Sequence, residues 1–443
     1  MTSASEAHSG ATSTQARWRA LLPESMRPQA LEILHQIAHA LPDPKEHWDG
    51  SLSGGLSGYA LFHAYYALSN VDGHAQAHRS DAMKNLEAAI DRLPEVNTEP
   101  LFFAGYTGIA WTVEWFQNLG LLEGDEDYNS EMDENLLEFL ESTPDKFLLP
   151  ELISGLAGFG LYAADRTRRH QAARKVLHKV LDCVERTAER KPEGITWFNH
   201  PEALPAIALQ SSPEGCYNLG LSHGMPGIIV FLAEAYVLGE QRALPLLEGA
   251  VSWLLSTKQN YANGSHFTYS LDVTHPEHAS QPQFGSRIAW CYGDLGIVAA
   301  LMIAAQHAGR EDWAEEALSL ARDVAARGVE GSGCMDAGLC HGAFGNAHIF
   351  NRLYQATGDP ALLQAFEKWM QLGFDMRKPG EGLAGYYMWF PHRDGEAERS
   401  PWVPEPALLE GVAGIGLALI AALTDQEPNW DRFLMVHAAP KGV

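Results

Sequence analysis

Cys291, Cys340 and His341 are the residues of this sequence best suited to hold a metal ion. Thiolate sulfur and imidazole nitrogen are ligand types that zinc prefers. Each stands just ahead of a glycine pair of the form G-x-x-G: Cys291 before Gly293/Gly296, Cys340 and His341 before Gly342/Gly345. A Cys-His dipeptide alone is weak evidence, because buried cysteines are common core residues. Placement at matching points of two successive repeats makes it stronger. Three protein ligands leave the fourth tetrahedral position open, the pattern of catalytic rather than structural zinc. Cys334 lies close by but off the repeat position. Cys183, in an amphipathic segment, and Cys216, in a loop, are expected to be bystanders.

Two thiolates and a neutral imidazole cancel the charge of Zn2+. A substrate thiol joining them binds as the anion near neutral pH, because the ion lowers its pKa. The assembly then carries net negative charge and the sulfur stays nucleophilic. The matching chemistry is thiol alkylation or conjugate addition, with zinc hydroxide attack on a carbonyl as the alternative.

Further candidates surround this set. His223 directly precedes Gly224/Gly227 and suits a general acid or base, against the plainer role of a hydrogen-bonded core histidine. Arg287, four residues before Cys291, and Tyr292, directly after it, suit stabilisation of an enolate oxygen, against mere packing and pairing. Glu151, four residues before Gly155, suits orienting His223 or taking a proton, against an exposed helix-start charge. His63 and His348 fall within apolar helical segments and read as core histidines. His266, His275 and His278 lack ligand spacing and are expected to be exposed or to touch substrate.

The elements that position these residues repeat along the chain. Seven glycine pairs head apolar, helix-competent segments: Gly55/Gly58, Gly105/Gly108, Gly155/Gly158, Gly224/Gly227, Gly293/Gly296, Gly342/Gly345 and Gly411/Gly414. Their spacing, roughly 50 or roughly 70 residues, is that of an array of supersecondary units. Each pair opens a segment that is apolar nearly all round, hence a buried helix. Before each lies an amphipathic helix, near Pro28–Leu41, Ala77–Leu93, Asp127–Glu141, Arg168–Arg190, Ala243–Lys258, from Glu311 and from Asp359. The fold class is therefore all-α. Seven inner and seven outer helices close most simply into a double α/α-toroid, with glycine letting backbones approach near the axis. An open solenoid is the competing architecture, and converging ligands favour closure. Residues 1–16 read as a mobile tail and 17–443 as a single domain of seven helix pairs. The long segments Phe198–Leu221, Tyr261–Gly285 and Pro391–Pro406 read as inserted loops near a site.

Composition narrows the partners. With 31 Lys and Arg against 56 Asp and Glu, the formal net charge is −25, which argues against a nucleic-acid partner. Five cysteines, an odd number, do not make a disulfide framework. No apolar run reaches the length of a membrane span, and the N-terminus lacks the pattern of a signal peptide. A cytoplasmic protein is expected, with peripheral attachment to a membrane-bound assembly left open.

The strings Trp290-Cys291-Tyr292-Gly293, Cys340-His341-Gly342, Ser222-His223-Gly224-Met225-Pro226-Gly227 and Leu152-Ile153-Ser154-Gly155-Leu156-Ala157-Gly158 resemble those of the lanthionine synthetase C-like family, the lanthipeptide cyclases. The resemblance covers all but the N-terminal tail. It implies zinc held by Cys291, Cys340 and His341. It implies addition of a peptide cysteine thiolate to dehydroalanine or dehydrobutyrine, giving lanthionine and methyllanthionine rings in a dehydrated precursor peptide. His223 then matches the family's essential histidine, with Arg287 and Tyr292 matching its arginine and tyrosine. Glu151 stands where the family often has Asp, and Asp294-Leu295 replaces its frequent x-Pro. The resemblance further implies a stand-alone cyclase served by a separate dehydratase. Intermolecular addition of glutathione to a dehydroamino acid is the close alternative. A carbohydrate-active toroid enzyme or a non-catalytic binding module is more distant.

Overall fold

In the computed structural model, which describes residues 18–94, 99–124, 126–390 and 400–442, the first glycine of each of the seven pairs is a helix N-cap. The expected tail and residues 391–399 of the third loop lie outside the described residues. In chain order the α-helices are α1 (Arg27–Ala40), α2 (Leu56–Ser69), α3 (Ala75–Asp91), α4 (Tyr106–Asn118), α5 (Ser130–Ser142), α6 (Leu156–Arg169), α7 (Arg174–Thr187), α8 (Ala206–Ser211), α9 (Met225–Val237), α10 (Ala243–Ser256), α11 (Asp294–Ala308), α12 (Glu311–Arg327), α13 (Ala343–Thr357), α14 (Pro360–Asp375) and α15 (Val412–Leu423).

Helices α2, α4, α6, α9, α11, α13 and α15 form the inner ring. Every residue of α15 is buried, and α2 is buried from Leu56 to Ala67. The outer helices bury one stripe only; α7 buries Val176, Leu177, Val180, Leu181, Cys183 and Val184 and turns its charges outward. Each inner helix packs on the next, and α15 packs back on α2. Outer helix α1 sits against α15, where the Leu21 and Leu22 amides donate to the Ala422 carbonyl. The ring is therefore closed, as the toroid requires.

A closed circuit of backbone hydrogen bonds runs around one rim. Ser53 N–H donates to Phe103 O, Phe103 to Ile153, Leu152 to Ser222, Ser222 to Cys291, Cys291 to Cys340, Cys340 to Leu409, and Leu409 back to Ser53, at 3.0–3.4 Å. These residues stand two places ahead of each first glycine; only the third repeat is offset, because the Glu151 carboxylate takes the Ile153 amide. Buried backbone groups near an axis need partners, and this circuit supplies them.

The glycines let neighbouring repeats approach, as expected, and do a second job as well. A Cβ on Gly55 would strike the Asp49 carbonyl of its own loop, and one on Gly58 would meet Leu52 O and the Leu408 side chain of the neighbouring repeat. The pair lets the loop fold back over the helix start, rather than only letting inner helices approach. In the sixth repeat a Cβ on Gly345 would overlap Leu339 O, next to Cys340 and His341. Gly345→Ala is expected to lower stability by about 1–3 kcal/mol through overpacking. Urea unfolding checks this, and an unchanged midpoint would refute it.

Two boundaries differ from expectation. Arg168 belongs to inner helix α6, and a turn at 170–173 precedes α7. The last turn of α6 is polar because Arg166 is buried in an ion cluster with Glu114, Asp127 and Asp133. Glu189–Lys191 is not helix but strand β1, paired antiparallel with β2 (Gly194–Thr196). The long loops carry the other strands: β3 (Cys216–Asn218) pairs with β4 (Ser270–Asp272), and β5 (Met388–Trp389) with β6 (Trp402–Val403).

The segment after α15 returns to the core. A 3-10 turn, Asn429–Leu434, buries Trp430, Asp431, Phe433 and Leu434. Phe433 packs on Phe103 and Trp111, and Arg432 pairs with Asp165 of α6 and Glu234 of α9. His348 is a core histidine as expected, its Nε2 2.8 Å from Asp431 Oδ2. No helix among the described residues is long and apolar enough to cross a membrane.

Candidate metal centre

Cys291 and Cys340 are links of the rim circuit, so the backbones carrying both thiols are hydrogen-bonded to each other, Cys291 N–H to Cys340 O at 3.3 Å. Both residues are buried, and His341 is half-buried beside them. One ligand atom from each of Cys291, Cys340 and His341 lies within 4.8 Å of the others. Ligands about 2.0–2.3 Å from zinc lie roughly 3.3–3.8 Å apart, so small side-chain rotations close the trio on an ion. The donor set of two thiols and one imidazole fits zinc. Cys183, Cys216 and Cys334 stand outside this group, and Cys334 donates to the Asp336 carbonyl.

The electrostatics favour ligand-ready sulfur. Cys291 accepts hydrogen bonds from Cys340 and His341, and Arg287 Nη2 donates to its Sγ at 3.4 Å; together they hold this thiol well below the usual range despite burial. Cys340 supplies its proton to that pair and is pushed up. His341 is raised: burial opposes its charge, but the hydrogen bond to Cys291 and the nearby Asp336 outweigh it. Asp336 Oδ2 lies 3.6 Å from His341 Nε2, and Glu410 Oε1 lies 3.9 Å from Nδ1. Carboxylates on either side of a ligating imidazole orient it and set its tautomer.

His223 faces the same cavity, a space of ≈ 330 Å³ that Arg287, Cys291, Tyr292, Cys340 and His341 also line. Its Nδ1 lies 3.1 Å from Glu151 Oε2. Glu151 is 1% exposed, so it is not a solvated helix-start charge. It also accepts from the Ile153 and Ser154 amides and the Ser154 hydroxyl. Burial opposes a charge on His223, yet the Glu151 bond and charge raise its pKa overall. Tyr292 stacks on His223, with centroids 5.9 Å apart, and its hydroxyl accepts from Asn218 Nδ2 at 3.1 Å. Burial pushes the Tyr292 phenol up, keeping it protonated.

The other expectations resolve individually. His266 is half-buried and pairs with Asp323 at 2.9 Å; His275 is exposed, and His278 is half-buried and stacks on Phe284. Asp294, where a nearby proline was absent, is buried and accepts from the His266 and Phe267 amides, tying the inserted loop to the start of α11. Three further residues neighbour the site: Glu410, Asp336 and Asn218. The repeat register held the signal. Glu410 stands one place before its glycine pair, like His223 and His341. Asp336 and Asn218 stand six places before theirs, like Arg287.

A sequence model of the family described as lanthionine synthetase C-like protein matches residues 46–435. Among solved structures, a nisin cyclase superimposes with a TM-score of 0.69 at 18% identity, over 94% of this chain and 98% of that one, so the two share a fold. Among curated proteins, Glutathione S-transferase LANCL1 of Danio rerio is 29% identical over 143 residues, 32% of either chain. The matched stretch spans about a third of that relative.

Proposed function

The chain belongs to the lanthionine synthetase C-like family, and from that premise we propose that it closes thioether rings in a dehydrated precursor peptide. The carrying observation is the convergence of Cys291, Cys340 and His341 in a cavity shared with the His223–Glu151 pair. Cys291, Cys340 and His341 would hold zinc, which when bound lowers the pKa of a substrate cysteine and presents it as thiolate.

The remaining work falls to this chain's own side chains. Arg287 balances the negative charge gathered at Cys291. The substrate thiolate adds to the β-carbon of dehydroalanine or dehydrobutyrine: a carbon–sulfur bond forms, the carbon–carbon π bond opens, and charge moves onto the carbonyl as an enolate. Tyr292, whose oxygen accepts from Asn218, keeps its own O–H free to donate to that enolate oxygen. His223, held at Nδ1 by Glu151, keeps Nε2 to deliver a proton to the α-carbon. The proton lost by the thiol is matched by the one gained at carbon, so the mass of the peptide is unchanged. A separate dehydratase supplies the substrate.

The direct test incubates the zinc-loaded protein with a dehydrated, cysteine-containing peptide. Thiol alkylation and fragmentation then follow loss of free thiol at constant mass. Equal thiol loss with zinc stripped would sink the proposal. A second activity fits the same site, because the name of the Danio rerio relative describes a glutathione transferase. Added glutathione would then appear as a mass gain on the peptide, with no ring.

The His223–Glu151 pair sets a pH signature. Because its pKa is raised, His223 stays a proton donor to higher pH than a free imidazole of about 6.5. Activity that needs this proton falls as pH rises through that raised value. Glu151→Gln removes the raising partner and leaves burial, so the falling limb is expected to move to lower pH. A profile of kcat against pH with the limb unmoved would refute the assignment.

A further inference from the structure

Away from the rim, between inner helix α2 and outer helix α3, lies a second group with metal-ligand chemistry. We infer that His63, His78 and Asp81 form a site for a divalent transition metal of the zinc class, pinning α3 to α2. One ligand atom from each lies within 4.8 Å of the others. His78 and Asp81 are three residues apart on α3 and so share a face. His63 comes from α2, with its ring nearly parallel to that of His78, centroids 5.9 Å apart.

The hydrogen bonding singles this group out from an ordinary helix contact. His63 is 4% exposed, and its Nδ1 is buried without a hydrogen-bond partner. Burial holds its pKa down at about 4, so the ring is a neutral donor at physiological pH. His78 gives Nε2 to Asp72 Oδ2 at 2.8 Å, while its Nδ1 is likewise buried and unpartnered. A carboxylate on one imidazole nitrogen with the other nitrogen free is how a ligating histidine is usually held. Two buried imidazole nitrogens without partners are costly without an ion and satisfied with one. Asp81 is partly exposed and pairs with surface Lys84, which gives an ion an entry path. Two nitrogens and an oxygen suit zinc and its borderline neighbours, with water completing the tetrahedron. None of these residues belongs to the Cys291 group, so the clamp is independent of the proposed chemistry.

The test counts zinc in the full-length chain after loading and desalting, by elemental mass spectrometry. Two ions per chain are expected in the unmodified protein. One is expected in His63→Leu, which keeps α2 apolar, and one in Asp81→Ala, a change at a partly exposed position that a helix accepts. One is also expected in the Cys291→Ala/Cys340→Ala double variant. In that double variant zinc should still raise the melting temperature, and adding Asp81→Ala should remove the effect. Retention of no zinc by the cysteine double variant would overturn the inference. So would zinc content unmoved by both His63→Leu and Asp81→Ala. Failure of the cysteine centre would look different: one ion, lost in His63→Leu and kept in the cysteine variant.

Discussion

Cys291→Ala is expected to slow thiol addition on the order of 10³-fold or more, a barrier increase of about 4 kcal/mol. Three features make this position decisive. Its sulfur is the point on which Cys340, His341 and the Arg287 guanidinium converge. It is buried, so water does not readily replace the lost ligand. Its backbone is fixed on both sides by the rim circuit, through Ser222 and Cys340, so no neighbouring thiol swings in. The same variant should lose its zinc at this centre while keeping its fold, because removal of one small sulfur from a hydrogen-bonded loop leaves the inner helices untouched. Cys216→Ala is the matched control: a buried thiol outside the ligand group, expected to keep both zinc and rate. Rates by thiol alkylation, zinc content and a circular dichroism melt, taken together, separate loss of chemistry from loss of structure. Full activity in Cys291→Ala would end the proposed mechanism.

Asp431→Asn is expected to cost about 3–5 kcal/mol of stability, since it removes the buried counter-charge of Arg352 and leaves that guanidinium the partly exposed Glu427. Asp431 is fully buried and accepts from Arg352 Nε at 2.6 Å, Arg352 Nη2 at 3.0 Å and His348 Nε2 at 2.8 Å. Burial alone would raise its pKa, but Arg352 and His348 reverse that and hold it at about 2. Because the folded value is depressed, the stabilisation is complete above the unfolded value of about 3.9 and is lost as pH falls through about 2. Asparagine keeps the shape and removes the charge, so the variant should show a flatter dependence of stability on pH at the acid end. Denaturant titrations at several pH values measure both effects. A loss below about 1 kcal/mol would show that the cluster is replaceable.

The effect should reach the metal centre. Trp290, beside Cys291, donates its indole N–H to Leu434 O at 2.7 Å. Asp431 therefore anchors a turn that itself braces the loop carrying Cys291, a candidate metal ligand.

Local pattern carried much of the architecture. Glycine pairs and helical periodicity are short-range properties, and they marked seven inner helices and most outer ones. The convergence of Cys291, Cys340 and His341 was legible for the same reason, because a repeat register converts distance along the chain into position in space. Legibility failed where partners are far apart and outside the register. Arg432 meets Asp165 across 267 residues, and nothing in either neighbourhood announces it. The turn at Asn429–Leu434 carries too few residues to show a period. The end of α6 is hidden in the sequence because Arg166 and Arg168 look like surface charges, whereas Arg166 is buried by three carboxylates from other elements. Glu151 was left open between partner and solvated charge, since burial is a property of what packs above a residue. Glu410, by contrast, lies within the register, one place ahead of the seventh pair.

The hydrogen-bond circuit that returns from Leu409 to Ser53 has a consequence for how such a protein can diversify. An open array of repeats grows or shrinks by adding or losing units, because its end units face solvent. Here the angular share of each unit is fixed by closure. An eighth helix pair would have no gap to enter, and a sixfold version would have to bend every junction. Novelty is therefore confined to the connectors, whose lengths do not alter the circle. The connectors before α9, α11 and α15 are where Asn218, Tyr269 and Trp389 approach the cavity. Substrate choice can change there while the count of seven, and with it the distance between the two thiols, stays constant.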